Sequence, residues 1–275
     1  MASSQQEIVI EAGRTERHYW RDLWAYRELF VFLAWRDILV RYKQTVIGVA
    51  WSVLRPVLTM MVFTIVFGRI ARLPSDGVPY PILVFSAMLP WHFFASAIAE
   101  GSTSLIENAN IISKVYFPRL IVPASAVIVS FVDFLISLSL LAVLLAWYKF
   151  LPSPRAFLLP VFLLLAILVS MGLTLLLAAM NVRYRDFRYV VPFLIQFGLF
   201  ISPVGFSLSV IPEQWRPLYS LNPMVGVIEG FRWSLLPEYS LDPRALLYSV
   251  LMSTLVLAAG VKYFRRTERS FADII

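Results

Sequence analysis

Three charged side chains interrupt otherwise apolar stretches of this chain: Arg55 in WSVLRPVLTMM, Glu100 at the end of WHFFASAIAE, and Asp133 in VSFVDFLIS. Ionisable groups at bilayer depth are costly, so they serve as ion or substrate paths, proton relays or paired structural charges. At about 1.5 Å per helical residue, Arg55 lies roughly 14 Å and Asp133 roughly 20 Å from the inner ends of their apolar segments. Both are therefore expected as a structural pair or as cavity-facing charges, ahead of a substrate-path or proton-relay role. Glu100 reads as a solvated cap. A second group of acids, Glu213, Glu229, Glu238 and Asp242, is spread over 30 residues and interleaved with prolines. That dispersion suits solvated loop charges better than a catalytic carboxylate cluster.

Other chemistries are missing. The absence of cysteine removes disulfides, thiolate metal sites and thiol nucleophiles. The two histidines, His18 and His92, are far apart and form no HExxH spacing, so no metal is expected. None of the 11 glycines opens a GxxxxGK[ST] loop, and no GxSxG occurs. The chain is thus read as non-enzymatic and as binding no cofactor. Any thermodynamic work must come from ATP hydrolysed on another chain or from an ion gradient.

The elements around these residues are long apolar runs. Hydrophobic residues make up 59% of 275, and charged residues only 15%, short of the quarter usual in soluble domains. A bilayer core needs about 20 apolar residues in helical form. Six segments approach that length, at 46–67, 80–99, 120–147, 157–180, 189–210 and 245–264, which predicts an all-α integral membrane protein. Pro192 and Ser202-Pro203 predict a kink in the fifth. With the N-terminus inside, sixteen of the 24 Lys and Arg residues fall on the inner side, counting Lys262 at the end of the sixth segment. Seven fall outside. This positive-inside bias places both termini in the cytoplasm. It also accounts for the net charge of +7 without nucleic acid as a partner. The first 28 residues show no signal-like h-region, so the first apolar segment is expected to direct insertion. Trp51, Trp91, Trp147, Tyr148, Trp215 and Trp233 near segment ends suit interfacial belts against the membrane lipids, or in part the wall of a path for a sugar polymer.

Three stretches are neither plain spans nor plain loops. Residues 24–45 follow a polar tail (1–23) and mix aromatics with Arg27, Arg36, Arg41 and Lys43, as in a helix lying at headgroup level or a short helix held against another cytoplasmic protein. The link ENANIISKVYFPR is polar and ends before a proline break. Residues 211–240 carry apolar patches too short to cross and punctuated by proline, the pattern of re-entrant helices.

The segments RELFVFLAWRDILVRYKQTVIGVAWSVLRPVLTMMVFTIVFG, GVPYPILVFSAMLPWHFF, ENANIISKVYFPRLIVP, NVRYRDFRYVVPFLIQFGLFISPVGF and LNPMVGVIEGFR, in this order, carry a resemblance. Together they resemble the membrane subunits of type-2 ABC exporters for O-antigen, capsule and teichoic acid. The resemblance implies a homodimeric channel with two copies of a separate nucleotide-binding subunit, which holds the ATP and Mg, and a lipid-linked glycan as cargo. It implies a bacterial inner-membrane location, an amphipathic interface helix at 24–45 and a single transmembrane domain at 46–264 before a short tail (265–275). Residues 105–117 become an ATPase coupling segment, with Glu107, Asn108, Ile111, Lys114, Tyr116 and Phe117 as contact candidates. Residues 211–240 become a periplasmic gate with Trp215, Tyr219, Asn222, Pro223, Phe231 and Trp233. Arg55, Trp91 and Asp133 are the channel candidates. A type-2 permease for a drug or lipid, and a membrane enzyme acting on a lipid-linked sugar, are the alternatives.

Overall fold

A computed structural model describes residues 15–43 and 46–271; the expected tails and the 24–45 helix therefore fall partly outside the described residues. Eleven α-helices follow one another in the described residues: α1 (Thr15–Ala25), α2 (Arg27–Lys43), α3 (Val46–Phe63), α4 (Tyr80–Glu107), α5 (Ala109–Ile112), α6 (Ile121–Trp147), α7 (Leu159–Arg183), α8 (Phe187–Ile201), α9 (Arg216–Tyr219), α10 (Pro223–Leu235) and α11 (Pro243–Thr267). Among the described residues five helical stretches are long and apolar enough to cross a membrane: Ser52–Ile70, Tyr80–Glu107, Ile121–Trp147, Pro154–Arg183 and Pro243–Ser270. The fifth expected segment is instead the 15-residue α8, about 22 Å long at 1.5 Å per residue, and short of a 30 Å hydrocarbon core. Pro192 is accommodated inside α8, while Ser202-Pro203 ends it outright, because proline has no N–H to continue the ladder.

Local sequence sets several boundaries. Ser153-Pro154, Asn222-Pro223 and Asp242-Pro243 each place a capping side chain before a proline whose missing N–H costs nothing in a first turn. Ser153 accepts from the Arg155 N–H at 3.2 Å, Asn222 from Met224 at 3.0 Å and Asp242 from Arg244 at 2.9 Å. The first span runs past residue 67 because α3 continues as a π-helical turn, Thr64–Ile70. There Phe63 stacks on Phe200 with centroids 6.3 Å apart, and Phe67 closes on Gly205, where a Cβ would come within 2.8 Å of the ring.

The most buried span is α4, packed against α6, α7, α8 and α10. Lipid tails are as apolar as leucine, so helix pairing at this depth relies on small residues and polar contacts rather than hydrophobicity. The α7–α11 contact shows this: a Cβ on Gly260 would lie 2.1 Å from the Gly172 carbonyl oxygen, and one on Gly172 would lie 2.6 Å from the Leu257 backbone. Between α4 and α7, Thr174 donates to the Ala97 carbonyl at 3.1 Å and Asn181 to the Ser102 carbonyl at 2.9 Å.

Two expectations for the N-terminal region change. Residues 15–23, read as polar tail, are helical in α1, and the helix expected to begin at 24 breaks at Tyr26. The reason is tertiary. Tyr19 and Leu23 of α1 and Leu33 of α2 join Leu105, Ile112, Phe117, Phe264 and Phe271 in one inner-side cluster. No periodicity within residues 15–43 announces those partners.

Candidate functional site

Arg41, near the end of α2, ties that helix to α4 and α6. Its guanidinium meets Asp133 of α6 at 2.7 Å and bonds directly to Glu100 of α4. The Tyr42 hydroxyl donates to the same Asp133 carboxylate. Ser96 donates to Glu100 at 3.3 Å, and Ser130 to Ser96 at 3.2 Å. Burial works against the Arg41 charge, but the two carboxylates outweigh it and its pKa is raised. Burial, then the hydrogen bond to Asp133, likewise pushes the Tyr42 hydroxyl up. Asp133 is therefore paired, but with Arg41 and not Arg55. Glu100, read as a solvated cap, is a half-buried ligand of Arg41. Sequence distance hid both pairs, since Arg41 lies outside every apolar run.

The segment 105–117 consists of the last turn of α4, the single turn α5 and a loop. Arg36 of α2 donates to the Asn108 side chain at 2.8 Å, and Asn108 in turn donates to the Ser104 carbonyl at 2.9 Å. Ile112 and Phe117, each 3% exposed, anchor the segment in the inner cluster; Ile111 packs against that cluster. Glu107, Lys114, Val115 and Tyr116 are left facing out. Of the six contact candidates, Glu107, Lys114 and Tyr116 are thus accessible, Asn108 and Ile111 partly so, and Phe117 is a packing residue.

At the outer end, α8 stops at Ile201 and leaves carbonyls that no helix satisfies. Arg232 of α10, 0% exposed, supplies donors to two of them, Nη1 to the Phe206 carbonyl at 2.8 Å and Nη2 to Val204 at 3.2 Å, while Nε reaches the Leu83 carbonyl of α4 at 3.4 Å. Irregular backbone at such depth needs donors of this kind from the protein itself. Glu229 lies 3.5 Å from Arg232, and Tyr239 donates to its two oxygens at 2.8 and 2.9 Å. Glu229 is 2% exposed, which overturns its reading as a solvated loop charge. The signal was in the string IEGFRW, where Glu and Arg at i and i+3 share a helix face. Among the gate candidates, Asn222 caps α10 and donates to Ser202 at 2.9 Å, and Pro223 starts that helix. Phe231 is buried against Phe134, and Trp233 is covered by Arg155 at 4.8 Å. Tyr219 is half-buried, and only Trp215 is exposed.

Trp91 does not line an open path. It is 4% exposed, packed on Phe94 and against Gly198 of α8. Arg55 is exposed, on a face of α3 shared with Leu54, Leu58, Met61, Val62 and Ile65. Exposed aromatics run along α8 instead, at Tyr189, Phe193, Phe197 and Phe200, with the Phe193 and Phe197 rings stacked at 8°. Their spacing of four, four and three residues puts them on one helical face. No group of His, Asp or Glu able to hold a metal occurs among the described residues.

Five helical stretches long and apolar enough to cross a membrane, among the described residues, define a multi-pass membrane protein. The chain belongs to the ABC-2 type transporter family, whose model matches residues 28–236. It is 30% identical over 259 residues to the O-antigen export system permease protein RfbA of Myxococcus xanthus, covering 93% of this chain and 98% of that one. It is 26% identical to the protein of the same name from Klebsiella pneumoniae, over 90% and 95% of the two chains. It is 25% identical to the polysialic acid transport protein KpsM of Escherichia coli, over 86% and 92%.

Proposed function

We propose that the chain is the permease subunit of an ATP-driven exporter that moves a lipid-linked, O-antigen-like polysaccharide across the bacterial inner membrane. The observation that carries this reading is the near full-length similarity to the polysaccharide export permeases, extending through both unusual stretches, 105–117 and 211–240. Two copies form the conduit, with α8 as the sixth membrane segment and both termini in the cytoplasm. The exposed aromatic face of α8 supports a sugar path, since aromatic rings stack on the apolar faces of sugars and release them readily. A partner ATPase supplies ATP and Mg chemistry and pushes on Glu107, Lys114 and Tyr116. The α2 helix then acts as a lever, because Arg36 holds the coupling segment while Arg41 holds the α4 and α6 spans. At the outer side α9 and α10 form the gate.

A mild-detergent pull-down of the chain, with mass spectrometry of its stoichiometric partners, tests the assignment. A one-to-one companion carrying Walker motifs is the expected result. A folded chain that purifies without one would overturn the ABC mechanism, leaving Arg55 and the Arg41–Asp133 pair to be tested as an ion path.

A further inference from the structure

A cavity of about 810 Å³ opens on the inner side where α1, the 116–119 loop and the end of α11 converge. Arg119, Arg265, Arg266 and Arg269 line it together with Asp22 and Glu268, so arginines outnumber carboxylates among the described lining residues. Glu268 is already engaged, accepting the Arg119 N–H at 2.7 Å. The floor is Tyr19, 5% exposed, with the Arg265 guanidinium 4.7 Å from its ring centre. The Tyr19 hydroxyl is buried and turned toward the Glu268 carboxylate. Burial and the nearby Glu268 carboxylate raise the Tyr19 pKa, which keeps this hydroxyl a proton donor. Several guanidinium groups around one cavity suit a phosphate, which accepts several charge-assisted bonds at once.

The position identifies the source. The cavity lies at the inner ends of two spans, α6 and α11, and the neighbouring α1 exposes Trp20 and Trp24. Exposed tryptophans beside a basic surface mark headgroup depth. We propose that this cavity binds the phosphate of an anionic phospholipid headgroup, tying α1 and the end of α11 to the inner leaflet next to the coupling segment. The proposal rests on the membrane placement of α6 and α11 and not on the cargo.

Native mass spectrometry of the full chain, with any subunits that copurify, from micelles holding equal amounts of phosphatidylglycerol and phosphatidylcholine tests it. Wild type is expected to retain phosphatidylglycerol about tenfold in preference, a difference of one strong polar contact. Arg266→Gln and Arg265→Gln should each remove most of that preference, while Arg244→Gln at the opposite end of α11 should leave it intact. Equal retention of the two lipids, or an unchanged preference in both variants, overturns the proposal. Displacement of the lipid by inorganic phosphate would show a free-anion site and overturn the lipid assignment. Loss of the copurifying subunit from the variants with lipid retention unchanged would make the cavity a protein-docking face and overturn it as well.

Discussion

Arg41 and Asp133 stand 92 positions apart and meet at 2.7 Å, joining an inner-surface helix to the middle of a span. Because Arg41 also holds Glu100, one guanidinium ties α2 to both α4 and α6. Replacing Arg41 with Gln leaves two half-buried carboxylates without their counter-ion. Water screens part of this contact, so the expected loss is about 1–2 kcal/mol rather than the value for a fully buried pair. Thermal unfolding in detergent should show a midpoint lower by a few degrees. Asp133→Asn added to Arg41→Gln should cost less than the sum of the two single changes, and additive losses would deny the coupling.

The coupling segment separates accessible from anchoring residues. Lys114→Ala and Tyr116→Ala should leave insertion and thermal stability within about 0.5 kcal/mol of wild type while export falls. Phe117→Ala removes an aromatic ring 3% exposed and should instead cost about 3–5 kcal/mol. Membrane export assayed beside thermal stability distinguishes the two classes. Normal export in both surface variants would remove the ATPase contact from this segment.

Arg232 and Glu229 should behave as structural groups. Arg232→Met strands the Val204 and Phe206 carbonyls and leaves Glu229 with Tyr239 alone, an expected loss of about 3–5 kcal/mol. Tyr239→Phe removes one donor and should cost about 1–3 kcal/mol. The fraction of monodisperse protein after heating, read by size-exclusion chromatography, gives the order Arg232→Met, Tyr239→Phe, wild type from least to most stable.

The α8 aromatics should matter for transport and not for the fold. Phe193→Ala combined with Phe197→Ala touches exposed rings, so the thermal midpoint should stay near wild type while export of lipid-linked glycan drops. Full export in the double variant would exclude this face from the conduit.

The α7–α11 contact leaves no room for side chains. Gly260→Val would drive a branched side chain into the Gly172 carbonyl and force the helices apart. Loss of folded protein in detergent is the expected outcome, whereas Lys262→Ala on the same helix should be tolerated.

The sequence by itself determined the membrane class, four of the long spans to within several residues, and the family. These features are local or compositional: apolar length and ordered strings survive being read along one dimension. It also singled out Asp133 as a charge expected in a structural pair or facing a cavity. Only the tertiary structure decided the partner, because Arg41 lies in a surface helix whose approach to α6 depends on packing around Leu33, Leu105 and Phe117. The same holds at the outer end. Ser202-Pro203 announces that α8 is interrupted, but the burial of Glu229 and Arg232 follows from α10 folding back onto the exposed carbonyls of that break. Charge on a proline-rich stretch reads as solvated when the chain is taken as a line. It becomes a buried, bonded pair only when distant backbone offers acceptors that water cannot reach.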